Sequence, residues 1–322
     1  MKKPKNMRLL SDTRLKGSKI ELIVPLVLLI ALNLIAVINL ECCIISFLVF
    51  PVIISSCYIW FAKKQSRTNI FLALSVISCI YIVFIFEFTL PLLELLPQEN
   101  FIFVTFIFLT VYFFYKTYNQ SALNKLGTSE PSKETFDSST VTLINAEDED
   151  LIESDDQDSD LPNVRNSCSS CKKYIPARTF HCNICKSCII GRDHHNYFFN
   201  CCIGRFNHKY FLLGCLSCLF TLLLFANLAL TSICHPFAIF QLFGIMFLLP
   251  DDCSEVFNDI EISLCFVAAI YALEMSVVLL FVIIQQLILI SKGTTSTEYW
   301  FKKEKSLNRY SCFRNWKNFC YI

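Results

Sequence analysis

The sequence predicts an all-α protein that crosses a membrane about six times, with a small cysteine-rich domain set between the helices. Three observations carry this. Long apolar runs recur along the chain, basic and non-basic loops alternate between them, and one short hydrophilic stretch gathers cysteine and histidine at close spacing. The composition agrees: of 322 residues, 54% are hydrophobic and 17% charged, with 31 Phe against 7 Gly. That bias argues against two soluble domains, which the length alone would allow.

A helix of about 20 apolar residues crosses the roughly 30 Å hydrocarbon layer. Six runs approach that length: 20–40, 43–62, 70–86, 101–115, 210–234 and 262–291. The fourth is short, and the sixth is long enough to project beyond the bilayer. A further apolar run, 237–250, is expected at the interface or as a re-entrant segment. The N-terminal tail carries seven basic residues, and the turn after the second run carries Lys63, Lys64 and Arg67. The segments around Glu41, 87–100 and 235–261 contain no Lys or Arg and hold acids instead. The positive-inside rule therefore puts both termini and residues 116–209 in the cytosol. The basic lead and uninterrupted apolar length read the first run as a retained anchor, not a cleaved signal peptide.

The chain divides accordingly. Residues 1–19 are a basic tail and 20–115 hold four helices; 116–160 form an acidic linker and 161–209 the cysteine-rich domain; 210–291 hold two helices joined by a luminal loop, and 292–322 are a cytosolic tail. Residues 129–160 contain twelve acids and one Lys, too little apolar surface to offset ordering entropy, so disorder is expected there. Residues 161–209 reverse the charge, with eight Lys or Arg against Asp193 alone. Of the 18 cysteines, those in the cytosolic segment face a reducing compartment and read as metal ligands or reactive thiols. Cys234 and Cys253 flank the luminal loop and are placed to pair.

From Cys168 the pattern is C-x2-C, nine residues, H-C-x2-C-x2-C, six residues, H, six residues, C. It supplies Cys168, Cys171, His181, Cys182, Cys185, Cys188, His195 and Cys202, with Cys201 an alternative to Cys202 as the last ligand. Six thiolates and two imidazoles suit two closed, structural, tetrahedral zinc sites. His181 and Cys182 are adjacent and must point oppositely, so the two sites should interleave. With so little hydrophobic core, metal binding should supply much of the domain's folding free energy, on the order of 10 kcal/mol per zinc.

Inside this frame lies "GRDHHNYFFNCCIG", residues 191–204. His194 oriented by Asp193 has the make-up of a general base, since a carboxylate partner fixes the tautomer. Asp193 alternatively supports a metal-bound histidine. The basic residues, among them Lys172, Lys173 and Arg178, suit phosphates or anionic lipid headgroups; nucleic acid is not expected so close to the membrane. A transporter using the intramembrane Glu274, or a ubiquitin-ligase-like zinc module, would be another class. The cysteine spacing departs from the cross-braced RING pattern, and a lone intramembrane acid is more often paired within its bundle.

These residues resemble the cysteine-rich domain of the DHHC protein S-acyltransferases. The resemblance rests on Cys168, Cys171, Pro176, Arg178, His181 to Cys188, Asp193 to His195, Asn200, Cys202, Gly204, Asn207 and Phe211. Two fainter features follow: "GTTSTE" (Gly293, Thr295, Ser296, Glu298) and an asparagine-and-aromatic motif (Asn308, Tyr310, Asn315, Trp316). The resemblance implies helices around a lipid-accessible cavity in the endomembrane system, endoplasmic reticulum or Golgi, with the zinc domain at the cytosolic face. It implies one zinc on Cys168, Cys171, His181 and Cys188 and another on Cys182, Cys185, His195 and Cys202. It also implies transfer of a fatty acyl group from acyl-CoA, through an enzyme cysteine, to a cysteine of a membrane-associated protein. Asp193 and His194 match the activating acid and base, and Arg178, Lys172 and Lys173 are candidates for the CoA phosphates. Four helices before the domain and two after is a minority layout in that family.

Asn196 stands where the resemblance calls for the nucleophilic cysteine, and Tyr197-Phe198 replaces its Pro-Trp. An amide is neither ionised nor usefully nucleophilic, so acyl-Asn chemistry is excluded. Three readings remain: Cys201, its pKa lowered beside a zinc ligand and Arg205, substitutes as nucleophile; His194 activates the substrate's own thiol; or the protein is a pseudoenzyme that binds acyl-CoA, membrane lipids or partner proteins.

Overall fold

The computed structural model describes residues 5–89, 97–126, 166–242, 245–300 and 311–321. The acidic stretch 129–160, Asn308 and Tyr310 lie outside them. In chain order come α1 (Lys5–Ala36), α2 (Leu40–Lys64), α3 (Ile70–Phe84) with a π-helical turn at Ile85–Thr89, and α4 (Pro97–Gln120). Six short strands follow, paired as three hairpins: β1 (Asn166–Cys168) with β2 (Lys173–Ile175), β3 (Phe180–Cys182) with β4 (Ser187–Ile189), and β5 (His194–Asn196) with β6 (Cys201–Ile203). Then come α5 (His208–Ile233), strands β7 (His235–Leu242) and β8 (Ile245–Asp252), α6 (Ile260–Ser291), α7 (Ser296–Trp300) and α8 (Cys312–Tyr321). Among the described residues six helices, α1 to α6, are long and apolar enough to cross a membrane. The chain is a multipass, mainly helical membrane protein.

Several boundaries differ from the sequence reading. The run 20–40 does not continue to residue 40: Asn39 ends it by capping α2, its side chain accepting from the Cys42 N–H at 2.8 Å. The fourth helix is not short but has 24 residues, because polar residues at both ends extend it past the apolar run and Pro97 suits a first helical position. The run 237–250 is extended chain where described. It lies in the antiparallel β7–β8 hairpin, whose base is closed by a Cys234–Cys253 disulfide. Prolines at 236 and 250 disfavour a continuous helix, and hairpin pairing satisfies the backbone instead.

Helix α5 is central: 56% of its span is buried, against 17% for α2 and α4. It packs against α4 and α6, where Phe86, Phe103 and Phe225 form an aromatic cluster. Several polar groups inside the bundle satisfy one another, as hydrocarbon favours. Tyr81 donates to Asn33 at 2.5 Å, and Ser78 and Tyr271 share a bond at 2.6 Å, tying α3 to α1 and to α6.

The cysteine-rich module is fixed to this bundle through the end of α4. Asn124 and Asn207, both fully buried, are bonded to each other at 3.0 Å. Asn207 also donates to the Thr117 and Cys202 carbonyls, and Asn124 accepts from the Phe206 N–H. The backbone passes so closely that a Cβ on Gly204 would lie 2.8 Å from the Ile190 carbonyl oxygen. Small residues do the same between helices. At Gly214 an added Cβ would sit 2.4 Å from the Phe114 ring of α4. Gly214→Ala should therefore destabilise the detergent-solubilised protein by about 1–3 kcal/mol, seen as a lowered Tm; an unchanged Tm would mean Phe114 swings away freely.

Candidate functional site

The three small hairpins sort the ligand side chains. Neighbouring residues on a strand point to opposite faces, so His181 and Cys182 on β3 serve different groups. Directly paired residues share a face, and His181 faces Cys188 while His195 faces Cys202. The result is two clusters, Cys168, Cys171, His181, Cys188 and Cys182, Cys185, His195, Cys202, each with its ligand atoms within 4.8 Å of one another. A tetrahedron of Zn–S bonds would set sulfurs about 3.7 Å apart. The Cys171–Cys188 and Cys185–Cys202 sulfur pairs lie at 3.5 Å, and the His181 and His195 Nδ1 atoms approach sulfurs at 3.2 and 3.4 Å. Each cluster can hold a metal ion, and Cys202, not Cys201, belongs to the second.

Asp193 lies just before β5 with no exposed surface. Its Oδ2 accepts from His194 Nδ1 at 2.7 Å, from Ser296 Oγ at 3.0 Å and from Gln286 Nε2 at 3.1 Å, and its Oδ1 accepts from the Ser296 N–H at 2.6 Å. Thr297 bonds the Asp193 carbonyl through both its N–H and its hydroxyl. Burial alone would raise this carboxyl, but the His194 bond and charge, the charge of His208 and the Ser296 amide outweigh it and hold the pKa well below the usual range. With Nδ1 turned to Asp193, the neutral imidazole would present Nε2 as its acceptor.

Asn196 stands 3.4 Å from that nitrogen through its Nδ2, while its Oδ1 accepts from the Phe198 and Phe199 amides at 2.9 and 3.3 Å. This is an Asx turn that closes the β5–β6 connection. The turn docks on the α2–α3 loop, where Asn200 accepts from Arg67 and donates to Asn69, and Tyr197 donates to the Phe61 carbonyl. His194 and Asn196 line the mouth of a cavity of ≈ 830 Å³ between α2 and α6, walled by Phe50, Ile54, Met275, Val278 and Val282 among others.

Cys201 is opposite Asn196 in the hairpin but buried against Phe211, Leu212 and Cys215, and is not among the cavity-lining residues. Burial pushes its thiol up to about 12, the reverse of the lowering expected from the sequence. Arg178 is not free either: it makes a bidentate ion pair with Glu298 at 2.8 and 2.9 Å and donates to the Gly293 carbonyl. Lys172 and Lys173 are exposed at the β1–β2 hairpin, away from the cavity lining. Two residues that the sequence reading left out of the site belong to it. Gln286 bridges Asp193 and His208, and Arg192, one of the eight basic residues of 161–209, lines the cavity mouth; its Nη1 donates to the His181 carbonyl while its Nε is buried without a partner among the described residues. The only sequence signal for Gln286 was an amide pair, Gln285-Gln286, on an otherwise apolar helix.

The fold and this site define a class: a multipass membrane protein in which a cysteine- and histidine-rich metal-binding module presents a carboxylate–imidazole pair to a membrane cavity. Residues 162–303 match the model of the family described as DHHC palmitoyltransferase. Palmitoyltransferase ZDHHC23-B of Danio rerio is 29% identical over 310 residues, which cover 90% of this chain and 71% of that protein. Palmitoyltransferase ZDHHC23-A of Danio rerio is 29% identical over 135 residues, 42% of this chain and 32% of that protein. The chain is thus similar to DHHC palmitoyltransferases, by the family model over residues 162–303.

The anchoring of Asp193 has a measurable consequence. Ser296→Ala keeps the backbone donor and removes the hydroxyl, leaving a buried carboxylate one bond short. It should lower stability by about 1–3 kcal/mol, read as a lower Tm in detergent. An unaltered Tm would show that Ser296 is not needed to hold the pair.

Proposed function

We propose that this chain is a protein S-acyltransferase that moves a fatty acyl group from acyl-CoA directly onto the cysteine of a membrane-associated protein. The observation that carries this reading is the Asp193–His194 pair, bonded at 2.7 Å and opening on the apolar cavity while the nucleophile position holds Asn196. In one step, His194 Nε2 takes the proton of the target thiol and the thiolate attacks the acyl carbonyl carbon. The carbon–sulfur bond to CoA then breaks, and the CoA thiolate recovers the proton from His194. One thioester is exchanged for another of similar energy, so no enzyme acyl intermediate is required. Arg192, which lines the cavity beside His194, supplies positive charge for the CoA phosphates.

The same reading gives each metal cluster one structural zinc, two per chain, since neither four-ligand set leaves a position open. It puts both termini and the zinc domain in the cytosol of an endoplasmic reticulum or Golgi membrane. The alternation of basic loops supports that side. So does the chemistry of sulfur: a disulfide suits the oxidising lumen and clustered thiolates the reducing cytosol, and Cys234–Cys253 joins the loop between α5 and α6, away from the clusters.

A second reading is favoured by a specific contact. Asn196 is committed to the Asx turn and offers its amide to His194 Nε2, which suits a protein that binds acyl-CoA, lipids or partners without turnover.

Transfer of labelled acyl groups to a thiol acceptor separates the two. Direct transfer predicts turnover by the wild type that falls at least a hundredfold in His194→Ala and survives Cys201→Ser, with no hydroxylamine-labile label on the enzyme. Wild-type activity equal to His194→Ala overturns it in favour of the binding protein. Asn196→Cys should gain auto-acylation. Elemental analysis should give about two zinc per chain, falling by one in Cys171→Ser; a wild-type value near zero would defeat the zinc assignment.

A further inference from the structure

Every intramembrane polar group discussed above has a partner except one. Glu274 sits on α6 in the middle of the membrane span, and both its carboxyl oxygens are buried without a hydrogen-bond partner among the described residues. The sequence reading expected such an acid to be paired within the bundle, and it is not. Nor is it turned toward lipid, since Glu274 lines the cavity that opens at His194.

Its depth follows from the helices. On α6, Gln286 touches Asp193 at the mouth, and Glu274 lies twelve residues earlier, about 18 Å along the axis. On α2 the lining runs from Gln65, which accepts a bond from Asn183 of the module, back to Phe50. The Phe50 ring meets Tyr271, one turn from Glu274 on α6, at 5.8 Å. Glu274 and Phe50 therefore mark the far end of the cavity. An extended hydrocarbon chain advances about 1.25 Å per carbon, so about 14 carbons reach from the mouth to the carboxyl.

A saturated chain filling that path would press methylenes on a carboxyl and leave it buried and unbonded. A chain that brings an O–H there would satisfy it. We propose that Glu274 makes this cavity selective for acyl chains that carry a hydroxyl group near their far end. The inference rests on the acyl-CoA reading above and deepens it by naming the class of chain. The walls between mouth and carboxyl, Ile54, Met275, Val278 and Val282, are apolar and suit the methylenes. Ser55 and Tyr58, on the same stretch of α2, are hydroxyl residues of the lining.

The test is equilibrium binding of two radiolabelled thioesters to the purified full chain in detergent: tetradecanoyl-CoA, and its analogue hydroxylated on the terminal carbon. The wild type should bind the hydroxylated chain about tenfold more tightly, the worth of one hydrogen bond to the buried carboxyl. Glu274→Leu should abolish or reverse that preference while still binding tetradecanoyl-CoA. Should the Leu variant fail to fold, Glu274→Met, of similar length and with no carboxyl, carries the same expectation. Equal affinities in the wild type, or a preference that persists in both variants, overturns the proposal and leaves acyl-CoA binding standing. A wild type that binds neither thioester sinks the acyl-CoA reading itself, and the proposal with it.

Discussion

Asp193 has no exposed surface, so its carboxylate must find every partner within the protein. Those partners come from three separate places: His194 beside it, Gln286 near the end of α6, and Ser296 at the start of α7. Leaving a buried carboxylate short of donors is costly, so this single charge fixes the module, the last membrane helix and the segment after it in one relative position. The Arg178–Glu298 pair spans the same junction, but its arginine is 54% exposed, and an ion pair so open to water adds little. The buried network outranks the visible salt bridge.

The metal clusters serve that arrangement from the other side. Strands of three residues cannot bury enough apolar surface to be stable alone, yet β5 carries His195 on one face and His194 on the other. Holding His195 in a four-ligand cluster sets the strand's rotation, and the period of two then aims His194 and Asn196 at the cavity. The asparagine pair at 124 and 207 fixes the height of the module against the bundle, with Gly204 permitting the close passage of chain.

Asn196 fits this frame as a structural residue. Its carbonyl oxygen closes a turn by accepting from two backbone amides. Under the direct transfer proposed above, the attacking sulfur belongs to the acceptor protein and no thiol is needed at this position. Cys201 does not fill the gap: it is packed among Phe211, Leu212 and Cys215, where burial keeps its thiol protonated.

By itself the sequence determined the features set by local chemistry. Apolar run length gave all six helices, since spanning a membrane needs only that. Cysteine and histidine spacing gave the eight ligands and the expectation of two interleaved sites, while the division into two sets of four came from the family resemblance and is the one the structure shows. The Asp193–His194 pair was legible for the same reason, its members being adjacent. Tertiary structure decided whatever depends on residues far apart in the chain. Gln286 reaches Asp193 across 93 residues, and nothing about a glutamine on an apolar helix announces that. The choice between Cys201 and Cys202 turned on which face of β6 meets the cluster, a one-residue difference that spacing could not resolve. The 237–250 run became a hairpin because a disulfide and two prolines outweighed its hydrophobicity. Glu274 was visible as an acid within the membrane, but only the packing of α2 against α6 left it at the end of a cavity with no hydrogen-bond partner among the described residues. Hydrogen bonding between distant segments is a property of the packed chain, and no local pattern encodes it.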